Sequence, residues 1–404
     1  MPRHDRPWAA VLPDARDWVA SSPDPGARWL LLTAVLDRDA DDPAVRAARA
    51  EMLTHPDTAD LLSRLTPWDA GAPLGGHNAP AFAPNLLALL ADRGLRSGDD
   101  PRVDAVLDAM LEHADDEDRF SSFAGRRADD PPVWGTLLCD THAIAETLLR
   151  YGRGDDPRVG RALERMAADL ADTAQGRAWP CRPDPVTGFR GPGRRGEMCP
   201  QVTLEALRVL SLVPAGRRPL DEARTLAVAR VALGVWRDRA VAKPYMFGHG
   251  ATFKTGKWPA TWYSALTLLD ALGRWPALWR GPGASDDDRR ALAELAACLV
   301  AYTTDDDGRV TPRSTFRGFE QHTFGRKDGP SPFATSATLA VLHRLDDLAD
   351  DVARVDVLAL GSSKGGTGQV RPPRAPRATG GGAVGRSAVG RGAVQGGAVQ
   401  GGAW

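Results

Sequence analysis

Three of the four cysteines stand where thiols can do chemistry. Cys139 is followed by Asp140 and, three residues on, by His142, which shares its face of a helical pattern. Cys181 follows Trp179 in a long loop, and Cys199 directly precedes Pro200 at the start of another helical pattern. Helix starts lower thiol pKa values, and three thiolates with one imidazole make a Cys3His set of the kind that holds zinc. Residue types and places therefore nominate Cys139, Cys181, Cys199 and His142 as metal ligands, with His249 as an alternative fourth, and Zn as the cofactor. No C-x-x-C spacing ties them together, and free thiols are also small buried hydrophobes. Cys298, inside ALAELAACLVAY, has the neighbours of a core residue.

A second group is aromatic. Tyr245, Phe247, His249, Phe253 and Trp258 crowd the segment KPYMFGHGATFKTGKWPATWYS, and Trp134 occupies a comparable loop. Ring faces attract cations, and Lys254 and Lys257 offer charge to a phosphate. These six residues are the candidate substrate-binding wall, and their bland alternative is a loop packed by its own rings. His77 in GGHNAP and His322 in EQHTFGRKD sit in similar loops, where a lone histidine is more often structural.

The elements that must position these groups are helices in pairs. Apolar residues recur at helical spacing over Pro23–Leu36, Ala81–Arg93, Gly135–Tyr151, Pro200–Val213, Pro259–Leu272 and Ser331–Leu345. Each is followed by a turn and a second helical pattern, the turns falling near Asp42, Asp100, Asp156, Leu220, Asp287 and Asp347. Several turns carry one chemistry, with Gly ending a helix, Asp capping the next and Pro in its first turn. Strand signals are scarce. Six hairpins at a regular period imply an all-α repeat architecture, and closure into an (α/α)6 toroid is preferred to an open solenoid because end repeats with a clearly polar outer face are missing. Within hairpins the turns are short. Between hairpins the loops are long, at 112–134, 172–199, 237–258 and 303–330, so in a toroid they converge on one mouth, where long loops are usually functional.

Length and charge narrow the class. The chain has 404 residues with 51 Lys+Arg against 52 Asp+Glu, a balance that implies no nucleic-acid partner. No apolar run is long enough for a transmembrane segment, the start lacks a secretory signal pattern, and four cysteines form no disulfide framework, so a cytoplasmic protein is expected. The toroid is expected to span 1–358. From 359 to 404 the composition turns Gly/Ala/Pro-rich and basic, which predicts a disordered tail.

The paired helices, the turn GDDPRV repeated within 92–103 and 148–159, and the turn-plus-aromatic segments DDEDRFSSF (115–123), AQGRAWPC (174–181) and DDDGRVTP (305–312) carry a family likeness. Over about residues 25–346 the chain resembles the terpenoid cyclase / protein prenyltransferase α/α-toroid superfamily, in particular its bacterial prenyltransferase-like and squalene-cyclase-like members. Gln175, Gly176 and Trp179 keep the order of that family's QW motif. The resemblance implies an apolar isoprenoid in a central cavity, with the reaction unassigned. It also lends meaning to two signals. Class II cyclases protonate an alkene from a DxDD motif, matched by Asp39, Asp41 and Asp42, although that run sits at the first hairpin turn and reads as capping, as does Asp305–Asp307. Protein prenyltransferases bind zinc through Asp, Cys and His, although their D-x-C spacing is absent here. Two other classes stay open. One is a non-catalytic binding or scaffold module on the same toroid. The other is an (α/α)6 carbohydrate-active enzyme, which needs paired carboxylates and could draw on Asp140, Glu197, Glu205 or Glu320.

Overall fold

Proline and aspartate decide where the helices begin. In both GDDPRV turns the second Asp is extended, and its carboxylate accepts the backbone N–H two residues on, Asp100 from Arg102 and Asp156 from Arg158, each at 2.9 Å. Pro follows at the first helical position, where an N–H would be idle anyway. The arginine folds back onto its own cap as a bidentate pair. Val103 and Val159 then open the buried faces. Asp42 caps the first such turn through the Ala44 N–H, so the Asp39–Asp42 run serves helix geometry at the surface.

A computed structural model describes residues 7–71, 73–74, 76–125, 131–191, 193–245 and 247–360. The described chain is mostly helical, and its main helices follow one another as six successive pairs. These are α1 (Pro25–Ala34) and α2 (Pro43–Leu53), α3 (Ala83–Asp92) and α4 (Pro101–Glu112), α5 (Leu138–Arg150) and α6 (Pro157–Ala168), α7 (Pro200–Leu212) and α8 (Glu222–Arg237), α9 (Ala265–Leu272) and α10 (Asp286–Thr303), and α11 (Pro332–His343) with the short α12 (Ala349–Ala353). All six expected hairpins are present. Of the tail expected from 359, all but residues 359 and 360 lie outside the described residues.

The first helices of the pairs form the inner layer. α5 packs on α3 and α7, α9 on α7 and α11, and α11 on α1. Nearly every residue of α5 and α7 is buried, as a helix enclosed on all sides requires. Hydrogen bonds join the two ends of the chain, Ser336 Oγ donating to the Ala27 carbonyl at 2.9 Å and Thr323 Oγ1 to Asp24 at 2.8 Å. One cavity of about 350 Å³ is lined from all six inner helices.

The sequence gives little sign of strands, yet two antiparallel hairpins occur among the long loops. β1 (Ser122–Ala124) pairs with β2 (Val133–Gly135), and β3 (Ala171–Thr173) with β4 (Gly176–Ala178). Three-residue strands are too short to show alternation. Gly176, at φ 122°, is required where it stands, because a Cβ there would lie 2.7 Å from the Val231 side chain. The aspartate runs at 115–119 and 305–309 form one shared loop. Asp115 accepts from the N–H groups of Glu117 and Arg119, and Asp305 from those of Asp307 and Arg309. Asp118 and Gly308 fill the equivalent left-handed position. Asp305–Asp307 is thus occupied with its own turn.

Candidate functional site

The start of α5 carries the first groups of the site. Leu137 leads into the helix without a side-chain cap, so Cys139 and Asp140 fall in the first turn, where the helix dipole favours an anion. Asp140 is fully buried. Its Oδ1 accepts the His77 backbone N–H at 3.0 Å and lies 3.2 Å from His77 Nδ1, and its Oδ2 accepts the Ser122 hydroxyl of β1 at 2.9 Å. The loop bearing His77 is fixed from α3, where Asn85 Nδ2 donates to the carbonyls of His77 and Ala79, both at 2.8 Å. Trp262 covers the imidazole, its ring centroid 5.6 Å away. The donor atoms of His77, Cys139 and Asp140 all lie within 4.8 Å of one another.

Electrostatics sorts the roles. Burial pushes the Cys139 thiol up to about 11, against the pull of His77. Burial also opposes a charged His77, but Cys139 and Asp140 outweigh it and raise the imidazole well above its ordinary value. Since Cys139 stays protonated near neutrality, Asp140 is the partner that acts on His77 there.

α7 supplies a carboxyl in a different state. Glu205 is buried and lines the cavity. Its Oε1 accepts Gln201 Nε2 at 2.7 Å, and its Oε2 has no protein partner. Burial, only partly offset by His77 and Arg208, pushes it up to about 7, poised between acid and base at neutral pH. Gln201 also donates to the Thr261 carbonyl at 3.2 Å. Glu205 thus faces the cavity while feeling the His77 charge.

The cavity wall is amphipathic. Trp29, Leu30, Trp258, Leu266 and Phe333 contribute apolar surface. The last turns of the inner helices contribute paired charges: Arg208 bonds Glu146 at 2.9 Å, Arg274 and Arg344 share Asp270, and Arg150 pairs with Asp92. Burial alone would raise the Asp270 carboxyl, but Arg274, Arg344 and Arg208 hold it well below the usual range.

The ligand set expected from sequence is regrouped. Cys139 keeps its place, joined by its neighbour Asp140 and by His77. His142 is elsewhere, because its face of α5 packs on α7. Its Nδ1 lies 3.3 Å from the Val202 carbonyl, Trp179 meets its ring edge-on, and burial pushes it down to about 4. Cys181 and Cys199 lie outside that group, on chain segments that meet at the Pro180–Met198 bridge. The alternative ligand His249 is likewise apart, its Nε2 lying 3.1 Å from the Tyr263 hydroxyl.

Of the expected aromatic wall, Trp258 alone lines the cavity. Phe247, His249 and Phe253 close a buried ring cluster with Trp236 and Tyr263, at centroid distances such as 4.6 Å for His249–Phe253 and 5.2 Å for Phe247–Tyr263. Trp134 stacks on His113 at 3.7 Å. Tyr245 lies at the surface beneath the Arg194 guanidinium. Lys254 and Lys257 rest on the rings of Tyr302 and Phe316.

Sequence reading left His77 among isolated loop histidines. One signal could have found it, the repeat itself. His77 and Asp140 are 63 residues apart, and neighbouring inner helices meet at that offset again and again: Thr147 with Pro84 at 63, Arg208 with Glu146 at 62, Gln201 with Thr261 at 60. Compared with protein-family models and with curated proteins, the chain matches none.

Proposed function

We propose that the six helix pairs close into an α/α toroid of the prenyltransferase-like kind, and that the chain is a zinc-dependent enzyme whose metal is held by His77, Cys139 and Asp140. The observation that carries this reading is the convergence of imidazole, thiol and carboxylate donors within 4.8 Å. Zn²⁺ takes this donor set, and catalytic zinc sites use three protein ligands and leave a position open. Ser122 and the His77 backbone hold the Asp140 carboxylate in place, as metal ligands are commonly oriented from behind. Bound there, zinc would supply Lewis acidity and stabilise a thiolate or hydroxide near neutral pH.

Glu205 is the proton-handling group, buried, poised near 7 and facing the cavity. The mixed wall suits an amphipathic substrate. An isoprenyl diphosphate has both an apolar chain for Trp29, Trp258 and Phe333 and an anionic head for the arginines, whereas a pure hydrocarbon would leave charged groups facing apolar carbon. The charged lining also weighs against a scaffold with an apolar, filled lumen.

Metal analysis of protein purified without chelator tests the reading. About one zinc per chain is expected, lost in Cys139→Ser and His77→Ala. Protein that stays folded, carries no metal and takes none up would sink it.

A further inference from the structure

The metal group and the cavity leave Cys181 and Cys199 unused, and their surroundings are built around sulfur. Trp179 and Cys199 are tied by a backbone bond, Cys199 N–H to the Trp179 carbonyl at 2.8 Å, and Pro180 bridges Met198 in antiparallel fashion. The chain segments carrying the two thiols therefore run side by side across the neck of the loop that joins them, each thiol one residue from the Pro180–Met198 pair.

The loop folds back over Cys181. A Cβ built on Gly191 would lie 3.1 Å from the Cys181 sulfur, and one on Gly193 2.9 Å from the Cys181 Cβ. Only glycine permits so close an approach of backbone to the Cys181 side chain. The two thiols differ in access, Cys181 being half-buried and Cys199 buried at the cap of α7.

We propose that Cys181 is a peroxide-reactive nucleophile and Cys199 its resolving thiol, so that the loop 182–198 can be closed by a reversible disulfide. The Cys181 thiolate attacks one peroxide oxygen. The O–O bond breaks, water or an alcohol leaves with a proton, and Cys181 becomes a sulfenic acid. Cys199 then attacks that sulfur, the S–O bond breaks, water departs with the Cys199 proton, and the S–S bond forms. The two thiols lose two electrons and the peroxide gains them.

The division of labour follows from the surroundings. The adjacent Cys199 thiol, the backbone of Gly193 and Gly191 and the Arg190 charge outweigh partial burial and lower Cys181 below the ordinary thiol value. The neighbouring Cys181 and burial both raise Cys199 well above the ordinary thiol value. A thiolate backed by a resolving thiol is the arrangement of redox-sensing cysteines. Because Cys199 caps α7, the bond would also pin the helix that carries Gln201 and Glu205.

The full chain, treated with hydrogen peroxide near neutral pH and mapped by mass spectrometry, is expected to lose two hydrogens and yield a peptide joining Cys181 to Cys199. In Cys199→Ser, dimedone is expected to mark Cys181. In both proteins Cys181 should be alkylated at least about tenfold faster than Cys298, which burial raises to about 11. If Cys199→Ser does not fold, the disulfide in the wild-type chain and its absence in Cys181→Ser decide the matter. Oxidation spread evenly over the thiols, no Cys181–Cys199 peptide, or loss of bound zinc in Cys181→Ser would each overturn the proposal, the last by making these thiols metal ligands.

Discussion

Replacing Glu205 with glutamine should convert a pH-dependent stability into a flatter one. The native carboxyl stays protonated to about 7, whereas in the unfolded chain it ionises from 4.5. At about 1.4 kcal/mol per pKa unit, that gap is worth about 3 kcal/mol. The sign follows from proton uptake, since between these two values the native state binds the proton and the unfolded state does not, so this group's contribution is fully present below pH 4.5 and is lost as pH rises to 7. Glutamine keeps the side chain's size and an oxygen to accept from Gln201 Nε2, and it carries no titrating proton. Urea unfolding of wild type and Glu205→Gln in chelator, at about pH 5 and about pH 8, isolates the effect. The difference in unfolding free energy between the two proteins should move by roughly 2–3 kcal/mol in favour of the variant across that range. A difference that stays constant within about 0.5 kcal/mol would refute the account of a buried, proton-holding Glu205 and remove the acid–base candidate from the site.

Asp24 is expected to be the most costly single carboxylate to lose. It caps α1 through the Ala27 N–H, meets the buried Arg93 guanidinium at 3.0 Å and accepts from Thr323. Asp24→Ala strands a buried cation, which costs about 3–5 kcal/mol by chemical denaturation, and a loss under about 1 kcal/mol would show that Arg93 finds another partner. Asp156→Ala removes a half-buried cap and the surface Arg158 pair, so a loss of about 1 kcal/mol is expected, small enough to leave the metal content and Cys181 reactivity of the folded protein unchanged.

The helix pairs were legible because their rules are local. GDDPRV announces a helix start through three residues that act within one turn, and the same capping recurs at Asp42, Asp100 and Asp156. The site was legible only in part. Cys139 could be placed at the start of an inner helix, but a helical face shared with His142 says nothing about which neighbour that face meets, and the neighbour is Val202 with Trp179 beside it. The aromatic segment misled for a related reason. Ring chemistry is the same in a cavity wall and in a core, and the difference lies in whether Trp236 and Tyr263 arrive to cover Phe253 and His249.

The repeat offset converts this limitation into a rule. Within the body of the chain, side chains reach across about one repeat, 58 residues for Arg150 with Asp92, 64 for Tyr151 with Leu87 and 63 for His77 with Asp140. At the two ends the offset jumps to 299 for Thr323 with Asp24, 306 for His343 with Asp37 and 309 for Ser336 with Ala27. Those contacts bring the first helix pair against the sixth, and they support the proposed toroid, since an open solenoid repeat touches only its neighbours. Asp24 belongs to both sets, bonded to Arg93 across one repeat and to Thr323 across the seam. The contact between first and last pairs is therefore held by hydrogen bonds to a buried carboxylate as well as by packing of α1 on α11, and both helices line the cavity that Glu205 also faces.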